Sequence, residues 1–347
     1  MQSEVIQKVN ITDYDALGFL TVVAEGLNLN LTEDNREYSV NLTDEIGHGY
    51  FKAYDFDHGI AVYEIDCTLK NQINFEFEKA VVQPLLILFN REEEIIISGH
   101  EIGKNKVAHL ESVMSSEGAK NRQQIALLPN QSTCFFAIII NRKLFEEKIT
   151  DFLSNMHPTL EHIFRDVNGI NQFYAQGYYS LDIAKFIEEF TTTSLTEFMR
   201  FVFLEGKIYE ILTHFLIQYV DDAKDPKARK ILRQQTVERI EEASTIIKDE
   251  MDQLGSIISL AKRVGLNQNT LQEGFKQLYK KSVNQYIKEV RMERAKELLE
   301  SSNLNITEIT YQVGINSRSY FSKLFKEQFG ISPKHYLQKH RNSNISA

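Results

Sequence analysis

The last hundred residues contain a repeat, and an internal repeat constrains the fold of a chain more tightly than its composition does. Leu260-Ala261-Lys262-Arg263-Val264-Gly265-Leu266 returns as Ile309-Thr310-Tyr311-Gln312-Val313-Gly314-Ile315 at an offset of 49. Leu271 corresponds to Phe321, Phe275-Lys276 to Phe325-Lys326 and Tyr286 to Tyr336, each at an offset of 50, so one extra residue lies in the second turn. Each copy reads as helix, glycine, short polar turn, helix. Gly265 and Gly314 fall where the chain leaves the first helix, a place that suits a left-handed glycine. Asn267 and Ser317 then stand as N-caps of the second helix. A connecting helix of about Val283 to Glu300 carries Tyr286, Val290, Ala295, Leu298 and Leu299 on its apolar side. The pattern predicts two helix-turn-helix units whose second helices meet successive major-groove faces, about 34 Å apart, without a second subunit.

Charge supports that reading once it is divided. The net charge of −9 over 347 residues hides an asymmetry. Residues 1–236 hold 22 Lys+Arg against 35 Asp+Glu, whereas from residue 253 onward 15 basic residues face 7 acidic ones. An acidic front and a basic tail predict a sensor followed by a DNA-facing domain. No run approaches the ~18 apolar residues of a membrane span, and Met1-Gln2-Ser3-Glu4-Val5 lacks the regions of a signal peptide. Cys67 and Cys134 form neither a disulfide framework nor a zinc knuckle. A cytoplasmic protein that leaves membranes alone is therefore expected.

Upstream of the repeat the periodicity changes. From about Ser39 to Ile140 short strands alternate with turns: 49–54, 59–65, 73–77, 85–89, 95–97, 124–129 and 135–140. Leu85–Phe89 and Ile95–Ile97 flank Asn90-Arg91-Glu92-Glu93, the pattern of a hairpin. Strands at this spacing predict a sandwich or barrel. After Asn141 the pattern is helical. Ser194 and Glu197 have the spacing of a capping box ahead of an apolar stripe about 26 residues, or ~39 Å, long. That stripe exceeds what one barrel face needs, so Leu195, Phe198, Val202, Ile208, Leu212 and Phe215 are candidate dimerisation residues, with packing on the barrel as the alternative. The expected domains are 1–220 for sensing and dimerisation (β-rich over 39–140, helical over 142–220), 221–236 as linker and 237–341 for DNA binding.

Residues from about Ile257 to Arg341 resemble the DNA-binding domain of the AraC-type (arabinose-regulator) family. The resemblance rests on Gly314-Ile315-Asn316-Ser317-Arg318-Ser319-Tyr320-Phe321-Ser322-Lys323-Leu324-Phe325-Lys326, continuing through Phe329-Gly330-Ile331-Ser332-Pro333 to Tyr336. Arg291, Ala295 and Leu298-Leu299 fall where the family's connecting helix has them. The acidic helix from Glu238 to Asp252 resembles the domain's first helix, which packs rather than reads DNA. Upstream, Arg200-Phe201-Val202-Phe203-Leu204-Glu205-Gly206-Lys207, with Glu210-Ile211-Leu212, is similar to the siderophore-responsive regulators. Their sensor is a small β-barrel followed by helices. No residue here specifies a siderophore.

The resemblance implies roles for particular side chains. The second recognition helix offers Arg318, Ser319, Ser322 and Lys323 to base edges. Arginine and lysine suit guanine O6 and N7, and serine suits either kind of edge; phosphate contact, which positions without specifying, is the alternative. The first offers Asn269 and Gln272, which suit adenine, and Glu273, which only accepts, as from cytosine N4. Glu273 stands where a base-reading arginine is common in the family, and Gly274 interrupts that helix at a cost of roughly 0.5–1 kcal/mol relative to alanine. Lys276, Lys280, Lys281 and Lys326 are candidate phosphate contacts.

Together these readings imply a multidomain α and β chain: an N-terminal cupin-like β-barrel or sandwich, the helices after it, and an all-α C-terminal domain with two helix-turn-helix units. The implied function is sequence-specific DNA binding by a transcription activator under control of a small-molecule effector. Double-stranded DNA, RNA polymerase, the effector and a second copy of the chain are the expected partners. No cofactor, catalytic residue or metal ligand set is expected, and the effector-contacting residues are not identifiable. Three alternatives compete. A cupin-like metal-dependent enzyme would use histidines such as His48, His58, His100 and His109, yet no His-x-His pair lies on a strand. An effector-independent regulator would carry the same DNA-binding domain. A repair methyltransferase fused to that domain would need a zinc-cysteine cluster and a reactive cysteine. Phe51, Tyr63, Phe75 and Phe77 line either a ligand cavity or the core.

Overall fold

The computed structural model describes residues 6–118, 121–178, 180–224, 226–302 and 304–338. The chain divides into two compact units between Arg233 and Gln234. Asp225 of the expected linker, and residues 339–341 of the expected DNA-binding domain, lie outside the described residues.

The N-terminal unit is a β-sandwich followed by helices. Its smaller sheet has the order β1 (Ile6–Ile11), β6 (Gln72–Phe77), β11 (Gln123–Leu127), β8 (Ile95–Gly99) and β9 (Gly103–Val107). Its larger sheet runs β13 (Phe173–Gly177), β10 (Ser112–Ser116), β7 (Leu85–Asn90), β12 (Ser132–Ile140), β5 (Ile60–Leu69), β4 (Gly47–Phe56), β3 (Glu37–Asn41) and β2 (Leu31–Asp34). Strand side chains alternate between faces, so Tyr63, Ile65 and Cys67 of β5 point into the shared core with Ile73, Phe75 and Phe77 of the facing sheet. Val62 and Glu64 take the outer face.

Helix α1 (Ala16–Leu27), capped by Asp15, fills the space between the sheets. Phe19 stacks on Tyr63 with ring centroids 3.9 Å apart and meets Phe75 edge-on at 5.5 Å. Phe51, Tyr63, Phe75 and Phe77 are accordingly buried core and not the walls of a cavity. Each such ring contributes roughly 1.5–3 kcal/mol by burial, and together they keep the interior dry. Cys67 and Cys134 are buried thiols, and burial pushes both up to about 12.

Helices α2 (Arg142–Ile149), α3 (Pro158–Phe164), α4 (Leu181–Thr191) and α5 (Glu197–Lys224) follow the strands. Phe190 of α4 packs edge-on against Tyr54 and Phe136, both at 5.2 Å, and Phe215 of α5 packs on Phe89. The buried Arg142 ties this layer together through bonds to the carbonyls of Ile163 and Gln83 and to Ser116 Oγ. Burial lowers its pKa from the usual guanidinium range.

Several local expectations change here. β7 and β8 form no hairpin; β7 pairs with β10 and β12 while β8 pairs with β11 and β9, so residues 91–94 cross between sheets. All six residues of β7 are buried, which requires neighbours on both faces. β1, α1 and β2 precede residue 39, and β13 interrupts the helical region to join the large sheet. α5 starts at Glu197, itself at φ +52°, and Ser194 does not cap it. The segment expected as linker is helical to Lys224 and again in α6 (Pro226–Asp249).

The C-terminal unit is all-helical. After α6 come α7 (Ile257–Arg263), α8 (Gln268–Tyr279), α9 (Val283–Ser301), α10 (Ile306–Gln312) and α11 (Arg318–Phe329). Met292, Ala295, Leu298 and Leu299 of α9 form one core with Ile309, Val313, Phe321 and Phe325. Ser282 and Gln285 form a capping box that starts α9, and Asn305 with Glu308 form another that starts α10.

Candidate nucleic-acid interface

The two helix-turn-helix units share one backbone solution. Leaving α7, Leu266 N–H bonds to Ala261 O and Gly265 N–H to Lys262 O; leaving α10, Ile315 N–H bonds to Thr310 O and Gly314 N–H to Tyr311 O. These paired bonds satisfy carbonyls at the helix end and need a left-handed residue. Gly265 and Gly314 provide it, at φ +68° and +71°. Asn267 Oδ1 then accepts from Thr270 N–H at 2.8 Å, and Ser317 Oγ from Tyr320 N–H at 3.3 Å, capping α8 and α11. An edge-on aromatic pair braces each copy, Phe275–Tyr286 at 5.2 Å and Phe325–Tyr336 at 5.6 Å.

The second unit presents cations. Arg318 and Ser319 are exposed at the start of α11, Ser322 is half-buried one turn on, and Lys323 and Lys326 are exposed. Arg318 makes no ion pair among the described residues. Lys323 lies 3.8 Å from Glu327, and both side chains are well exposed. An exposed pair of this kind is worth about 0–1 kcal/mol, so Lys323 is free to exchange it for a better anion.

In the first unit two of the three candidate base-reading side chains, Gln272 and Glu273, are engaged internally. Asn269 is exposed near the start of α8. Gln272 Oε1 instead accepts from Val283 N–H at 3.3 Å, at the first turn of α9. Glu273 accepts from Gln277 Nε2 at 2.9 Å along its own helix, and Gln277 is buried, so the carboxylate is drawn towards the domain's interior. Lys276 and Lys280 are exposed, while Lys281 is half-buried and paired with Glu289.

Gly274 has a reason that sequence reading missed. A Cβ there would lie 2.1 Å from Ile240 Cδ1 of α6, so the glycine lets the two helices approach. Gly314 is doubly required: a Cβ would sit 2.3 Å from Met251 O, the same carbonyl that accepts from Arg291 Nη2 at 2.8 Å. Burial lowers the Arg291 pKa from the usual guanidinium range. The half-buried Arg291 therefore ties α9 to the chain beneath the second turn.

The candidate dimerisation residues separate into two groups. Ile208, Leu212 and Phe215 are buried within the protomer, spent on its own sheet and helices rather than on a partner. Leu195, Phe198 and Val202 stay at the surface beside Met199, with Phe198 76% exposed. Among the described residues no group of three or more His, Cys, Asp or Glu is placed to hold a metal ion. No helix among them is long and apolar enough to cross a membrane.

Residues 260–339 match the family model of a helix-turn-helix domain. A histidine kinase of Formosa agariphila is 32% identical over 102 residues, 29% of this chain but only 7% of that protein. The Msm operon regulatory protein of Streptococcus mutans is 27% identical over 161 residues, 45% of this chain and 54% of its own length. An HTH-type transcriptional regulator of Pseudoalteromonas carrageenovora is 30% identical over 115 residues, 33% of this chain and 67% of its length. The chain thus spans 7% of the first relative and about half of the second. The tandem units, the family match over them and the regulators among these relatives agree: the chain belongs to the AraC-type transcription regulators.

Proposed function

We propose that this protein is a sequence-specific DNA-binding transcription regulator, an activator whose N-terminal unit responds to a small-molecule effector. The observation that carries the DNA-binding part is the repeated turn: two glycine exits with the same hydrogen bonds, each followed by an Asx- or Ser-capped helix. Such a helix enters the major groove by its N-terminal residues, where Arg318, Ser319 and Asn269 stand. Lys276, Lys280, Lys281 and Lys326 are assigned to phosphates, with α11 as the main reader. The protein acts in the cytoplasm as a homodimer through Leu195, Phe198, Met199 and Val202, and engages RNA polymerase at its promoter.

Binding-site selection with the full chain, followed by titration of the selected duplex, tests this reading. Binding should fall steeply with salt as counterions are released, and a fragment of residues 1–230 should not bind. Retention of duplex binding by that acidic fragment would overturn the assignment. Light scattering on the same fragment tests the dimer, which a clean monomer at tens of micromolar would exclude.

A further inference from the structure

We propose that Gln268, the first residue of α8, reads a base of the operator in place of Gln272 and Glu273, and that the base is adenine. The inference rests on the DNA-binding reading above and names the residue through which the first unit adds specificity.

The cap fixes where each second helix begins. Asn267 accepts from Thr270 N–H and Ser317 from Tyr320 N–H, so the two helices open at Gln268 and Arg318. These residues are also 50 apart, the spacing that aligns Leu271 with Phe321 and Phe275 with Phe325. Gln268 therefore stands at the start of α8 as Arg318 stands at the start of α11, and both are exposed. The second helix of such a unit meets base edges by its N-terminal residues. A seating that brings Arg318 to a base in one unit brings Gln268 to a base in the other.

The positions further along α8 are spent. An amide recognises adenine by accepting from N6 with its oxygen while donating to N7 with its nitrogen. Gln272 does not have that pair to offer a groove: its Oε1 is turned to α9, where it accepts from Val283 N–H at 3.3 Å. Val283 is the first residue of α9 and fully buried. Its N–H has no partner within the helix, so releasing Gln272 would strand a buried donor. Glu273 only accepts and holds Gln277. Gln268 and Asn269 are exposed and make no side-chain hydrogen bond among the described residues. Asn269 offers its amide on the shorter arm; Gln268, at the tip of the helix, has the longer reach.

The amide also sets what is refused. Guanine presents two acceptors, N7 and O6, which would leave the Gln268 oxygen facing another oxygen. A guanidinium carries donors only and has the opposite preference. Alike in backbone, the two units then ask for different bases: adenine at the start of α8 and guanine at the start of α11, about 10 base pairs apart.

The test uses the full chain and its Gln268→Ala, Gln268→Arg and Gln272→Ala variants. Binding-site selection with the unaltered chain gives a duplex. Titrations on that duplex and its singly substituted forms, at one salt concentration, give the preference at each position. Gln268→Ala should flatten one adenine preference by about fivefold or more, with the other positions and Tm left as they were. Gln268→Arg should turn the same position from adenine to guanine, a change that a merely structural role would not produce. Gln272→Ala should keep the adenine preference and lower Tm, because Val283 N–H loses its acceptor. The proposal is overturned if Gln268→Ala leaves every preference within about twofold, or weakens all duplexes alike as a phosphate contact would. Loss of the adenine preference with Gln272 instead overturns it equally. Each of these results comes from a chain that has selected a duplex and so leaves the regulator reading intact; a chain that selects none overturns both.

Discussion

The two helix-turn-helix units share one scaffold and differ in the side chains they leave exposed. Turn hydrogen bonds, left-handed glycine, cap and aromatic brace recur in both. Their surfaces diverge. α11 leaves Arg318, Ser319 and Lys323 at the surface, whereas α8 commits Gln272 to the start of α9 and Glu273 to Gln277, and sets Gly274 against Ile240. Duplicating a backbone therefore does not duplicate its surface. What neighbouring helices demand of the side chains decides which polar groups each copy leaves exposed.

Substitutions at the turns sharpen the comparison most. Gly314→Ala should destabilise the C-terminal unit by about 2–5 kcal/mol, adding the left-handed backbone cost to overpacking against Met251 O. Gly265→Ala meets nothing closer than 3.7 Å and should cost only the backbone share, about 1–2 kcal/mol. Urea unfolding of the two variants compares them, and equal losses would mean that the turns are equivalent after all.

Next in size is the effect on DNA. Lys323→Ala should weaken binding to the selected duplex by about 1–3 kcal/mol and relax preference at one position. Titrations at one fixed salt concentration, on matched and singly substituted duplexes, give both quantities. A uniform loss across all sequences would reassign Lys323 to phosphate.

Gly274→Ala should lower stability by about 1–2 kcal/mol. The overlap with Ile240 costs about 1–3 kcal/mol, and the gain in helix propensity offsets up to about 1 of that. A rise in Tm would show that α8 is looser on α6 than its packing indicates.

The smallest effect is expected at Glu273. Glu273→Ala should leave duplex affinity within about twofold, or raise it slightly, because the carboxylate already faces Gln277 and its removal lessens repulsion of phosphate. If Glu273→Ala weakens binding more than Lys323→Ala does, the ranking of the two helices is wrong.

What could be read without coordinates was local. A left-handed glycine, an Asx or Ser cap and a helical stripe are each encoded within a few residues, so the turns at Gly265 and Gly314 and the caps at Asn267 and Ser317 were legible, as was the connector before α10. Seven of the thirteen strands among the described residues were legible for the same reason, as short alternating or apolar runs, whereas β1, β2, β3, β9, β10 and β13 were not. Pairing was not. β7 and β8 look like two arms of a hairpin until their partners in separate sheets are known, because register depends on residues far away in sequence. α1 carries no mark that says it fills a sandwich. Gln272 and Glu273 are ordinary polar residues of an exposed helix until α9 and Gln277 claim them. Chain-local conformational preference decided the scaffold of the C-terminal unit; burial and hydrogen-bond competition between distant segments decided which of its side chains stay exposed.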